Sequence, residues 1–302
     1  MKLLYEVAVT LAATPQARVA AGRFPLIADY ELNLSGFEYY VHSGTGAEDL
    51  EFLREAGSAS TVGLNVGDKI ASVEGVRHLR SDLRELMLSA RWTRRPSLEP
   101  LKRFSELRVL ALGGDGQFKD LQPLADLHSL RVLRLGSRKD VDLSLLASLP
   151  RLWHVELALG SLGSSFEVLA AAPRLRWLEL YRIRSLTDLD GVGRMSALER
   201  LELGQLSNLQ SLPDLRGASA LRDVYIERCR NLRDLASLAS APSLERVLMV
   251  DMPHLQPEHL LPLVGHPTLR YFAAGTGSLR RNKALADVLG LPEPPGPDLP
   301  TE

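Results

Sequence analysis

Only one cysteine, Cys229, occurs in 302 residues, so no disulfide can form within the chain. A lone thiol fits a reducing compartment, and the expected localisation is cytoplasmic. Neither sign of charge is in excess. Lys and Arg total 36 against 37 Asp and Glu, a formal net charge of −1, which gives no basis for a nucleic-acid partner. No apolar run approaches the roughly 18 residues of a membrane span. Residues Gly63 to Lys69 are too short for a phosphate loop, and no Ser or Thr follows the lysine. The 7 histidines lack metal-ligand spacing and have no cysteine pair beside them, so no metal or other cofactor is expected. The N-terminal apolar run is a weak signal-peptide candidate, because Glu6 interrupts it and Lys2 is its only early cation; a first strand through Leu3 to Val9 is the preferred reading.

What is present is a period. Leu175, Leu178 and Leu180 recur as Leu198, Leu201 and Leu203, then as Leu221, Val224 and Ile226, then as Leu244, Val247 and Met249, each set 23 residues after the last. The register extends back to Leu83, Leu86 and Leu88 and forward to Leu269, Phe272 and Ala274, with spacings between 22 and 25. A fixed period of this length makes each unit one layer of a stack. The last two apolar residues of each unit are two apart, the strand period, so both point to one face and the residue between them to the other. Successive units run in the same direction, so the strands must be parallel. Leu121 to Leu127, Leu143 to Leu149 and Leu232 to Leu238 space their apolar residues by three, which suits 3₁₀ turns or short helices on the outer side. A short amphipathic helix is expected over Ala47 to Ala56.

This pattern resembles the leucine-rich repeat family in its short form, clearly over 83–274 and more faintly over 34–66. The resemblance implies an α/β solenoid, a curved right-handed horseshoe with a parallel β-sheet on its concave face and short helices or 3₁₀ turns on its convex face. Residues 1–33 are expected to cap the first layer and 34–277 to hold the repeats. A closing helix is expected over 278–290, with Gly290 as its C-cap. Residues 291–302 carry five prolines and read as a disordered tail. One column departs from the family. Where Asn or Cys usually serves the loop carbonyls, this chain has Ile183, Leu206, Cys229 and Met252, so no asparagine ladder is expected there. Some family members carry a cysteine-dependent ubiquitin-ligase domain. This chain has no separate region to hold one, and Cys229 reads as a buried thiol.

On the concave face the outward residues form columns. Arg134, Glu156, Glu179, Glu202 and Tyr225 make one; His154, Trp177, Arg200 and Asp223 lie two positions earlier, and Tyr181 and Glu227 two later. Glu156, Glu179 and Glu202 should stack about 4.8 Å apart, where like charges repel by roughly 1 kcal/mol even in water. Two arginines against five carboxylates leave this patch at −3. Two readings stand open. In one, Trp177, Tyr181 and Tyr225 are exposed anchors for a protein partner with a basic contact surface, and the chain, a monomer when free, acts as an adaptor or inhibitor without chemistry of its own. In the other, Arg131, Arg176 and Arg222 fold over the carboxylates as an internal ion network. The different-class alternative is a subunit of an enzyme complex using His154 and Glu156. The loop Arg91 to Arg95 is a further candidate for contact with phosphates or an acidic partner, beside its reading as a solvated loop.

Overall fold

A computed structural model describes residues 37–42, 48–115, 118–136, 142–158, 169, 170, 172 and 174–292. The expected N-terminal cap and most of the proline-rich tail lie outside the described residues. Eleven strands form one open parallel sheet in sequential order, β1 (Tyr39–His42), β2 (Thr61–Ile70), β3 (Glu85–Trp92), β4 (Val109–Asp115), β5 (Val132–Gly136), β6 (His154–Ala158), β7 (Trp177–Tyr181), β8 (Arg200–Gly204), β9 (Asp223–Glu227), β10 (Arg246–Val250) and β11 (Tyr271–Ala274). Pairing follows the repeat register, with Leu178 beside Leu201, Leu201 beside Val224 and Val224 beside Val247. These residues and their partners two positions on are buried, as are the leucines that precede β3 to β11. The core is therefore one continuous seam, each layer covering the next.

The return from strand to strand is too short for a long helix, and the chain solves it with i→i+3 turns. Leu124 N–H donates to Leu121 O at 2.9 Å, Leu127 N–H to Leu124 O at 3.0 Å and Leu130 N–H to Leu127 O at 2.9 Å, so apolar residues three apart face the seam together. Of the three segments with apolar residues three apart, two are 3₁₀ helices, Gln122–Asp126 and Ser144–Ser148, while in Leu232 to Leu238 the helix begins only at Ala236 and runs to Ser240. The segment expected as an amphipathic helix over Ala47 to Ala56 is also 3₁₀, Glu51–Ala56. One α-helix, α1 (Leu279–Leu289), lies beyond β11. Ser278 Oγ accepts from Arg281 N–H, Gly290 ends the helix at φ 61°, and Leu285 is buried against the last layer.

The loop column that departs from the family is resolved by the backbone. Ile183, Leu206, Cys229 and Met252 are fully buried and serve as core. The residues before them, Arg182, Gln205, Arg228 and Asp251, all sit in the left-handed region at φ between 51° and 55°. That conformation aims main-chain donors at the next repeat. Arg182 N–H donates to Gly204 O at 2.9 Å, Gln205 N–H to Glu227 O at 2.8 Å and Arg228 N–H to Val250 O at 3.0 Å. A side-chain ladder does exist, two positions later than expected: Asn208 Nδ2 donates to Arg184 O at 2.5 Å, Asn231 Nδ2 to Ser207 O at 2.6 Å and His254 Nε2 to Leu232 O at 2.7 Å. The expectation that no asparagine ladder forms holds only for the family's usual column.

Candidate functional site: the centre of the concave face

Strands β5 to β10 place the outward columns side by side, with His154 beside Trp177 and Trp177 beside Arg200, and with Glu156 beside Glu179 and Glu179 beside Glu202. Strand spacing of about 4.8 Å is also close to the spacing of stacked planar groups, so the first column packs as a stack. The rings of His154 and Trp177 lie 4.3 Å apart at an interplanar angle of 11°, and the Arg200 guanidinium sits 4.5 Å from the centre of the Trp177 ring. Asp223 continues the column, accepting from Arg246 Nη2 at 2.7 Å.

This stacking closes the surface that the sequence suggested would be open. Trp177 is 9 % exposed, Glu156 3 % and His154 0 %, so Trp177 is a packed side chain and not an exposed anchor. The carboxylates are neutralised from within the grid. Arg134 Nε lies 3.1 Å from Glu156 Oε2, and Arg200 Nε donates to Glu202 Oε1 at 2.5 Å. Glu179, between them, meets His154 Nε2 at 2.7 Å through Oε1. Arg176 and Arg222 do not fold over this ladder. They pair along the rim with Glu199 at 2.6 Å and Glu245 at 3.5 Å. The charge count of −3 also omitted Arg246, which lies in the same column and compensates Asp223.

Three carboxyls therefore share two guanidinium groups in a place that water barely reaches. Glu179 and Glu202 side chains keep 13 % exposure each. Burial pushes the Glu156 carboxyl up to about 7, with Glu179 and Glu202 adding to the rise and Arg134 opposing it. Glu202 is likewise carried to about 7 by burial, against the pull of Arg200. Burial raises Glu179 too. His154 moves the other way, to about 3, because burial and then the Arg134 charge disfavour the imidazolium. At neutral pH the imidazole is uncharged, and burial works against full ionisation of the ladder.

The remaining members of the patch are more open. Tyr181, Tyr225 and Asp223 are half-buried, while Glu227 is almost covered at 9 %. The Tyr181 ring lies across Gly204, where an added Cβ would meet Tyr181 Cδ2 at 2.3 Å; its hydroxyl accepts from Gln205 Nε2, and the Arg182 guanidinium sits 5.4 Å from the ring centre. Tyr225 donates to Glu227 Oε2 at 3.3 Å. Burial, then the Glu227 charge, raises the Tyr225 hydroxyl above its ordinary range, and burial raises the Glu227 carboxyl. The face thus brings together every residue of the expected patch, but as a closed centre flanked on one side by two partly open tyrosines.

His154 Nε2 meets Glu179 on the next strand and is fully buried. The Cys229 thiol is buried, faces Glu227 O at 3.5 Å and is pushed up to about 11 by burial. Among the described residues no group of three His, Cys, Asp or Glu could hold a metal ion, and no helix is long and apolar enough to cross a membrane.

No protein-family model matches the sequence, and no curated protein matches it. Solved structures do. The crystal structure of an internalin C2 from Listeria monocytogenes is similar at 22 % identity and a TM-score of 0.50, covering 67 % of this chain and 92 % of its own. An internalin from the same species gives 18 % and 0.40 over 83 % of this chain and 89 % of its own. A leucine-rich repeat protein of Leptospira interrogans gives 16 % and 0.47 over 74 % and 62 %. At such identity the first similarity speaks for the fold alone.

Proposed function

We propose, from the premise that the chain folds as a leucine-rich repeat solenoid, that it is a protein-interaction module whose concave face binds a partner protein. The observation that carries this reading is the pairing of two partly open tyrosines, Tyr181 and Tyr225, with a carboxylate-rich strip on a rigid parallel sheet. Aromatic anchors beside charge on a preorganised surface lose little side-chain freedom on binding. Glu227 and the exposed edges of Glu179 and Glu202 favour a basic contact surface on the partner. Trp177, His154 and Glu156 act beneath that surface, while Arg134 and Arg200 reach it beside the carboxylates they hold in place. The module works by occupying or scaffolding its partner, as an adaptor or an inhibitor, and is a monomer when free. The single buried thiol suits a cytoplasmic setting. The enzyme-subunit alternative finds no support in the geometry, since His154 has no exposed atom to offer a substrate.

Affinity capture from native lysate tests the reading with two matched baits, the wild type and a Tyr181→Ala, Tyr225→Ala, Glu227→Arg variant. The expected result is a partner recovered by the wild type and lost by the variant, with both baits melting at similar temperatures. Equal recovery by two well-folded baits would remove the concave face from the proposal.

A further inference from the structure

The second and third strands are longer than the others. β2 and β3 have 10 and 8 residues, whereas β5 to β10 have 5 each. After a register shift between Asn65 and Lys69, the extra residues pair again, Lys69 with Arg91 and Ile70 with Trp92. The strand period then sorts them by face: Ile70 and Trp92 are buried, while Lys69 and Arg91 are exposed on the other side.

Trp92 is the anchor of this extension. Its indole Nε1 donates to Gly113 O at 2.8 Å, and its ring lies 5.3 Å from that of Phe118. The loop that follows is tied at both ends, by Thr93 N–H to Ile70 O at 3.0 Å and by Lys119 N–H to Pro96 O at 3.1 Å. Between those ties Arg94 and Arg95 are exposed. None of Lys69, Arg91, Arg94 and Arg95 makes an ion pair with a described residue. Asp68 precedes this group and Asp115 shares the register position of Arg91 on β4.

Two cations placed directly opposite each other on neighbouring strands oppose the pairing of those strands. On the β4 side Arg91 stands opposite Asp115, whereas on the β2 side it stands opposite Lys69. A loop held rigid by a buried tryptophan also presents its arginines with less freedom left to lose on binding.

We infer that this extension is a second interaction surface, and that it takes an acidic segment of a partner protein. Guanidinium forks match carboxylates bidentately, and three of the four cations are arginines. A single-stranded nucleic acid would need exposed rings on which to stack its bases, and Trp92, the one indole in the loop, is turned into the core. The basic extension on β2 and β3 lies three strands before the acidic strip that begins on β6. A partner that meets both must carry an acidic and a basic patch in a fixed order, which sets its direction along the solenoid. This inference does not depend on the concave-face reading, because its residues and its probe are different.

The test uses the full chain, a fluorescein-labelled octa-glutamate peptide and an oligo(dT) of equal charge, read by fluorescence anisotropy at low salt. The expected result is that octa-glutamate binds the wild type more tightly than oligo(dT) does. Arg91→Gln, Arg94→Gln, Arg95→Gln together should weaken octa-glutamate binding at least tenfold, whereas Arg184→Gln with Arg230→Gln, two exposed arginines of later loops, should change it less than twofold. The triple variant should melt at or above the wild-type temperature, because a like-charge contact has been removed. Absence of octa-glutamate binding, equal weakening in both variants, or tighter binding of oligo(dT) would each overturn the proposal. A lower melting temperature in the triple variant would also overturn it, by showing that the arginines hold the loop.

Discussion

Replacing Glu179 by Gln should flatten the dependence of stability on pH. Glu179 lies between Glu156, which Arg134 meets, and Glu202, which Arg200 meets, and it shares the fields of both guanidinium groups. The substitution keeps the shape of the side chain and a polar contact for His154, and removes one charge from the middle of the ladder. In the wild type, the Glu156 carboxyl is raised from 4.5 to about 7 on folding. A group whose pKa rises on folding favours the folded state at low pH and loses that advantage as pH climbs through the folded value. For Glu156 alone the difference corresponds to on the order of 3 kcal/mol, lost mainly between pH 5 and pH 8. The three carboxyls share one field, so their losses do not add. With Gln at 179, Glu156 and Glu202 each lose a repelling neighbour, their pKa values drop, and the loss above pH 6 shrinks. Urea unfolding of both proteins at half-unit steps from pH 5 to pH 8.5 reads this directly. Equal slopes in the two proteins, or a wild type whose stability does not fall between pH 6 and pH 8, would mean that the ladder is solvated and the account above is wrong.

Three other outcomes follow from the same geometry. His154 is held neutral down to about pH 3, so the wild type is penalised as pH falls from 6.5 towards 3; a His154→Phe variant should gain stability relative to wild type over that window in the same unfolding assay. Gly204→Ala forces the Tyr181 ring aside and breaks its contact with Gln205, and should cost about 1–3 kcal/mol by chemical denaturation, whereas a change under 0.3 kcal/mol would show that the ring is not seated there. Cys229 should resist Ellman's reagent in the native protein at pH 8 and react fully in denaturant, because the thiol is both buried and raised to about 11.

The layers of this protein could be read from the sequence because one requirement repeats. Each unit must present leucines at the same offsets or leave its neighbour uncovered, so strand order, register and core all follow from the spacing of Leu175, Leu198 and Leu221. The state of the site residues does not follow from spacing. Whether Trp177 is an open anchor or a packed ring depends on what its neighbours across the sheet are able to stack upon, and His154 and Arg200 are both flat enough to close on it. The signal was available in principle, as an imidazole, an indole and a guanidinium in one column at strand spacing. The left-handed residues were illegible for a different reason. No glycine marks Arg182, Gln205, Arg228 or Asp251, and the conformation is imposed by the hydrogen bonds of the stack. The extension of β2 and β3 depends on a register shift after Asn65 that no apolar period announces.

That left-handed column has a consequence for how the protein can change. Its inter-repeat main-chain bonds are donated by the amides of Arg182, Gln205 and Arg228, and at the fourth turn by Met252 beside Asp251, so those bonds themselves require no particular side chain. Proline alone is barred by lacking the N–H, and β-branched residues are disfavoured by the backbone angles. The four positions are evenly spaced along one edge of the sheet and their side chains pair across repeats, Arg182 with Gln205 and Arg228 with Asp251, so they can be rewritten two at a time while the layers beneath stay in register.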